Sequence, residues 1–453
     1  MSSRSRFVLD ASFLLLVLSG SMHLGVLGQV HADPNVPVEY QQLYSTLESS
    51  LDGYNTYLDS IGADKSYQVI FGGELLPANS NRGTDLLKPQ TLQAVVLYLD
   101  RLRELGVQGI TMPIGYPLYT PNFPHYTEYV QFYKQVFQEV RKHGMKIDVE
   151  SSILFANTPF STLKANYTGL TFDEFKTERK QMITNIVQDL RPDFLNLGAE
   201  PDTEYQLIGF KELSSPEQYA DYINFVLSGL DRGSTKIGAG IGSWGNMEYV
   251  RELASKTSLD SIYIHVYPIT GNYLQNIFAI SAIAKQYGKR ILLDEVWLYK
   301  VDKPSANGVA ASPDVFRRDA FSFWAPLDQK FLAAMVKSAQ IANIDYVSPF
   351  WTEFFFGYVD YSSTTASLPF SELSSLANQA ASKNILADQF TSTGKFYGLL
   401  ASAQLSTSTT TPQSAANRIP SFGFALLIAA LVAIIAVVAV IVLRRYTSKS
   451  ISG

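Results

Sequence analysis

The chain has 453 residues, with 36 Lys and Arg against 41 Asp and Glu for a formal net charge of −5, and 46% of it is hydrophobic. It contains no cysteine, which excludes disulfides, thiol catalysis and thiolate metal sites. With no long basic run, the charge balance also speaks against nucleic acid as a partner.

Residues 1–32 read as a secretory signal, with Arg4 and Arg6 in front of an apolar centre, Phe13 to Leu18, and a small-residue cleavage site at Val30-His31-Ala32. In the next segment, 33–65, apolar residues at Tyr40, Leu43, Tyr44, Leu47, Leu51 and Tyr54 have helical spacing. They predict an amphipathic helix packed on the outside of the domain downstream of it.

A strand–helix rhythm then runs through a single domain, 66–401. Strands are expected at 67–77, 107–117, 145–153, 192–200, 235–243, 259–268, 289–297 and 345–352. Helices are expected at 91–106, 126–144, 171–190, 216–232, 247–257, 273–288, 329–344 and 387–401, the third of them capped by Thr171. Strands alternating with helices imply a parallel sheet. Eight such units fit an α/β fold of the (β/α)₈ barrel type, with an open doubly wound sheet as the alternative. The long connections, 154–170, 300–328 and 353–386, all run from strand to helix. Chain length is therefore concentrated on the face where barrel chemistry sits.

Residues 402–420 are rich in Ser, Thr and Ala and read as a stalk. Within 421–453, Phe422 to Leu443 is 22 residues without a charge, followed by Arg444, Arg445 and Lys449. That pattern predicts a single transmembrane helix with a short basic cytoplasmic tail and the body outside the cell.

Two strand-like runs end on an acid: "DFLNLGAEPDT" on Glu200 and "KRILLDEVWLY" on Glu295, 95 residues apart. In a closed barrel these ends can face each other across the mouth. Two facing carboxylates suit glycoside hydrolysis, one as acid on the leaving oxygen and one as nucleophile. A lone strand-end glutamate is more often a solvated residue or an ion-pair partner; two of them on the loop-rich face point to chemistry. All four tryptophans, Trp244, Trp297, Trp324 and Trp351, lie at or after strand ends, where aromatic rings can cover the C–H faces of a sugar. In "SIYIHVYPI", His265 and Tyr267 share one face. Glu74 and Glu150, at the ends of the first and third strands, are further candidates for the mouth. Three scattered histidines beyond the signal, His125, His143 and His265, argue against a zinc site.

Gly240-Ile241-Gly242-Ser243-Trp244-Gly245, with Asp260 beyond it, matches a dinucleotide fingerprint letter for letter. It falls in the fifth of eight units and carries a tryptophan, so nucleotide binding is rejected. Asn166-Tyr167-Thr168 is a glycosylation sequon.

The barrel, the two strand-end glutamates and the "HVY" of the sixth strand together resemble the clan A glycoside hydrolases. The resemblance covers roughly 66–400 and implies that Glu200 is the general acid/base and Glu295 the nucleophile. It also implies that Tyr267 contacts the nucleophile and that Trp351 floors the reactive sugar. Two positions depart from the clan. Ala199 stands where an asparagine usually holds the sugar 2-hydroxyl. No arginine ends the second strand, although Arg82 in the first loop is placed to substitute. The expectation is a membrane-anchored, extracellular retaining β-glycoside hydrolase acting on an oligo- or polysaccharide, without metal or organic cofactor. Its substrate contacts are expected from Trp351, Tyr267, His265, Trp297, Trp244, Glu74 and Glu150. The alternatives are a non-catalytic surface carbohydrate-binding barrel and a structural cell-envelope protein.

Overall fold

A computed structural model describes residues 35–62, 67–302 and 312–408. The expected signal, most of the stalk, and the transmembrane helix with its tail lie outside the described residues. Among the described residues no helix is long and apolar enough to cross a membrane. The chain divides after Gln404 into two units, and the first carries the fold.

Eight parallel strands form one sheet in the order β1-β8-β7-β6-β5-β4-β3-β2. They are β1 (Ile70–Phe71), β2 (Gly109–Pro113), β3 (Lys146–Glu150), β4 (Phe194–Asn196), β5 (Lys236–Gly242), β6 (Ser261–Val266), β7 (Arg290–Val296) and β8 (Tyr346–Pro349). The two ends of the sheet meet. Gln108 N donates to Phe71 O at 2.7 Å, Thr111 N to Gly73 O at 3.0 Å and Leu75 N to Thr111 O at 2.9 Å. These bonds close the ring, so the structure is a (β/α)₈ barrel and not an open sheet.

Around it lie α1 (Val38–Gly62), α2 (Pro89–Glu104), α3 (Tyr126–Lys142), α4 (Phe172–Leu190), α5 (Pro201–Ile208), α6 (Pro216–Leu227), α7 (Met247–Lys256) and α8 (Tyr273–Gln286). The ring is completed by α9 (Pro313–Asp319), α10 (Ala325–Ala342), α11 (Ser363–Ala366), α12 (Phe370–Leu386) and α13 (Ser392–Ser408). The helix expected within 33–65 is α1 and packs outside the barrel, as its apolar stripe requires. Tyr54 shares a 2.7 Å hydrogen bond with Ser338 of α10, and Tyr44 stacks on Trp324 at 5.6 Å. Thr171 accepts from Glu174 N, and Glu174 returns a bond to Thr171 N, a reciprocal cap that starts α4.

Several expectations differ from the structure, among them that α9 and the start of α10 lie in the connection expected over 300–328 and that α6 ends at Leu227. The segment 353–386 is not a plain connection: it holds α11 and α12, the latter burying Leu373, Ala377, Ala381 and Ile385 along one face. The last helix begins at Ser392 rather than 387. The glycines of the rejected fingerprint have a packing role. A Cβ on Gly240 would lie 1.8 Å from Tyr263 O of the neighbouring strand, so only glycine lets β5 approach β6 there.

The inside of the barrel is layered. Phe194, Ala199, Tyr263, Leu292 and Tyr346 pack together as one buried apolar layer. Beside it lies a buried polar layer, in which Tyr263 donates to Asp148 Oδ1 at 3.1 Å and Asn196 Nδ2 donates to Asp294 Oδ2 at 2.6 Å. Buried polar groups persist only when paired, and this layer supports the mouth directly.

Candidate active site

Glu200 reaches the mouth because β4 ends early and the backbone turns. Gly198 adopts φ +146°, where a Cβ would meet Tyr219 Oη at 2.8 Å and Glu204 Oε1 at 2.9 Å. Its N–H donates to Asn196 Oδ1 at 2.9 Å. Pro201 then starts α5, leaving Glu200 at the helix N-terminus with its side chain free of the cap. Thr203 Oγ1 donates to Glu200 Oε2 at 2.6 Å, and His265 Nδ1 lies 2.8 Å from Oε1.

Glu295 arrives by a different device. Between Tyr263–Leu292 and His265–Glu295 the β6–β7 register slips by one residue, and β7–β8 slips in the same stretch. This bulge lets two consecutive residues, Asp294 and Glu295, both serve the barrel interior, which a regular strand forbids. Asp294 is held by Asn196, with its Oδ1 3.3 Å from His265 Nε2. Glu295 Oε2 accepts from Tyr267 Oη at 2.5 Å and lies 3.3 Å from His265 Nδ1. The period-two pairing of His265 and Tyr267 therefore delivers both side chains to the acids.

One ligating atom from each of Glu200, His265 and Glu295 lies within 4.8 Å of the other two. One carboxylate oxygen of Glu200 and one of Glu295 therefore lie within 4.8 Å of each other, so the two acids face one region of the mouth. The Glu200 side chain is 18% exposed and that of Glu295 8%, so Glu200 stands nearer solvent.

The electrostatics are those of a crowded acidic well. Burial pushes the Glu295 carboxyl well above its ordinary range, the Glu150 carboxylate raises it further, and His265 pulls the other way. Burial also raises Glu150, against a hydrogen bond with Glu295 and the attraction of His265. Glu150 and Glu295 thus act on each other as neighbouring buried carboxyls. Ser152 Oγ donates to Glu150 from the other side. Burial alone would favour a neutral His265, but Glu295 and Asp294 outweigh it and raise the imidazole well above its usual value. Glu200, His265 and Glu295 are also grouped closely enough to hold a metal ion, which would need the neutral ring.

Aromatic rings form an arc on one side of the acids. Trp244 sits 6.1 Å from Tyr267, Phe350 is 6.2 Å from Tyr267, and Trp351 is 4.9 Å from Phe350. Trp244 and Trp351 are half-buried, and Trp244 Nε1 donates to Asp202 Oδ2 at 3.0 Å. The other two tryptophans are elsewhere. Trp297 is 1% exposed, stacked on Phe354 at 5.7 Å with Lys300 above its ring, and Trp324 is buried beneath α1. Glu74 is fully buried and accepts from Asn79 Nδ2 at 2.8 Å; burial and Glu353 raise its carboxyl well above the usual range. Arg82 is exposed.

Sequence reasoning missed Asn196, Asp294 and Thr203, which position the acids without being strand-end acids themselves. A signal existed for the first: an asparagine inside the apolar run "FLNLG" has to find a buried partner.

No protein-family model matches this chain, and no curated protein matches it. Solved structures do. An exo-β-1,4-mannosidase from Opitutaceae bacterium strain TAV5 aligns at 12% identity over 79% of this chain and 66% of its own, with a TM-score of 0.48. A GH5_18 protein from Bifidobacterium longum subsp. longum aligns at 14% identity over 76% and 81%, with a TM-score of 0.47. A family 1 β-glucosidase from Thermotoga maritima aligns at 10% identity over 75% and 99%, with a TM-score of 0.44. Each is a likeness of fold. The chain resembles the clan A glycoside hydrolases through its closed barrel and through glutamates at the ends of β4 and β7.

Proposed function

We propose that the protein is a retaining β-glycoside hydrolase. The reading is carried by one observation: two carboxylates from strands three units apart share one imidazole and lie within 4.8 Å of each other. In the first step Glu295 attacks the anomeric carbon while the proton held between His265 Nδ1 and Glu200 Oε1 passes to the leaving oxygen. The C1–O bond to the leaving group breaks and an ester to Glu295 forms. In the second step Glu200 takes a proton from water, the water oxygen bonds to C1, and Glu295 is released as carboxylate. Tyr267 Oη stabilises the carboxylate on each side of the ester. Trp351 and Trp244 are the rings placed to cover the sugar. The first step needs Glu295 ionised, against the burial and the Glu150 carboxylate that raise its pKa.

The test is trapping. A panel of activated 2-fluoro glycosides should add one glycosyl mass to the protein, mapped to the peptide holding Glu295, and Glu295→Gln should take up none. A label that stays on Glu295→Gln, or a mass on another residue, overturns the assignment.

We also infer that the enzyme stands outside the cell on a single C-terminal span, supported by the uncharged run Phe422 to Leu443 and the arginines after it. The full chain should stay with membranes through an alkaline wash, while a chain ending at Gln404 should not; release of both would refute the anchor.

A further inference from the structure

We propose that the sugar this site accepts at the bond it cleaves is a 2-amino-2-deoxy sugar, whose ammonium group lies between Glu150 and Glu295. The proposal rests on the glycosidase reading above and names its substrate class.

Three observations carry it. First, Glu150 ends β3 with its carboxyl hydrogen-bonded to that of Glu295. When one oxygen of a carboxylate attacks C1, the other lies beside the substituent on C2, so Glu150 flanks that substituent. Second, among the described residues the acids at the site outnumber the basic side chains that face them. Among the described residues Glu150, Glu200, Asp202 and Glu295 have no Lys or Arg ion-pair partner, and His265 is already shared by Glu200 and Glu295. The buried cations nearby are committed: Arg179 donates to Ser151 O and Leu197 O, and Lys300 pairs with Asp319 and Asp328. Third, the residue before the acid contributes no amide. Ala199 is fully buried in the apolar layer with Tyr263 and Leu292, so no neutral donor from that position meets a 2-hydroxyl.

An ammonium donates to both carboxylates and favours the ionised form of Glu295 that attack requires. A 2-hydroxyl is a weaker partner, an acetamido group brings no charge, and a uronate adds a further negative group to the well.

The test uses the whole protein and aryl β-glycosides that differ only at the sugar: 2-amino-2-deoxy in the gluco and galacto configurations, the matching 2-hydroxy and 2-acetamido sugars, and the glucuronide. The expected result is a kcat/KM at least about 100-fold higher for the amino sugar than for its 2-hydroxy counterpart, the range reached when a buried polar site is built for one group. The glucuronide should be the poorest. In Glu150→Gln the amino-to-hydroxy ratio should fall below about tenfold. The wild-type ratio tests the proposal by itself, whether or not the variant folds. If neutral glycosides are cleaved and Glu295 is labelled, but the amino sugar has no advantage, this proposal fails and the glycosidase reading survives. If no glycoside is cleaved and Glu295 is never labelled, both fail.

Discussion

Tyr267→Phe isolates one hydrogen bond at the reacting carboxylate. The ring is kept, so its contacts with Trp244, Tyr299 and Phe350 at 6.1, 5.7 and 6.2 Å persist. What is lost is the 2.5 Å bond from Oη to Glu295 Oε2. A hydrogen bond to a charged group contributes about 1.5–3 kcal/mol. At about 1.4 kcal/mol per tenfold, kcat/KM should fall roughly 10- to 150-fold. The assay is hydrolysis of an aryl glycoside with a good leaving group, because attack by Glu295 then limits the first step and proton delivery by Glu200 does not. Tyr267 favours the ionised form of Glu295, so the acid limb of the pH profile should also move to higher pH in the variant. Thermal stability should stay close to wild type, which separates the effect from misfolding. A loss under about twofold, with the acid limb unmoved, would refute the role given to Tyr267 and weaken that of Glu295.

Glu200→Ala should reduce cleavage of glycosides with poor leaving groups by about 10²- to 10⁴-fold; added azide should restore turnover on activated ones and yield a glycosyl azide of retained configuration, whereas an azide product of inverted configuration would contradict the assignment. Gly198→Ala should lose activity with little loss of secondary structure, since its φ of +146° costs an alanine about 1–3 kcal/mol and the Cβ pushes on Glu204 and Tyr219; activity equal to wild type would show that this turn does not place Glu200. Lys300→Met leaves Asp319 and Asp328 buried without their cation and should destabilise by about 3–5 kcal/mol, read by denaturant unfolding; a change under about 1 kcal/mol would refute the pairing. Burial raises Glu204 and Asp319 to about 7 and Glu353 to about 8. The folded state then keeps protons that the unfolded chain loses near pH 4, so stability falls as pH rises through those values. The melting temperature should be higher at about pH 5 than at about pH 8, with a smaller difference in Glu353→Gln; the reverse trend would show that these carboxyls are ionised in the fold.

The rhythm of strands and helices was legible because it is local: apolar spacing, a threonine cap and glycine stops act within a few residues. All eight strands lie where that rhythm put them. The helix over 370–386 was missed although Leu373, Ala377, Ala381 and Ile385 recur every four residues, because two small alanines and many serines mask the stripe. The strand-end acids and the face shared by His265 and Tyr267 could be read the same way, and in the structure they meet. The tryptophans could not be sorted. A strand-end position in the sequence does not say whether a ring stays half-buried, as Trp351 and Trp244 do, or packs under a neighbouring element, as Trp297 and Trp324 do.

By itself the sequence determined the barrel's parts and which residues stand at its rim, since both follow from periods of two and 3.6 along one chain. Only the tertiary structure decided how the rim is wired. The β7 bulge that turns in both Asp294 and Glu295, the asparagine that ties β4 to β7, and the closeness of Glu150 to Glu295 all depend on distances between strands far apart in sequence. Those distances are set by ring closure and by the low dielectric of the closed interior, neither of which any single segment contains.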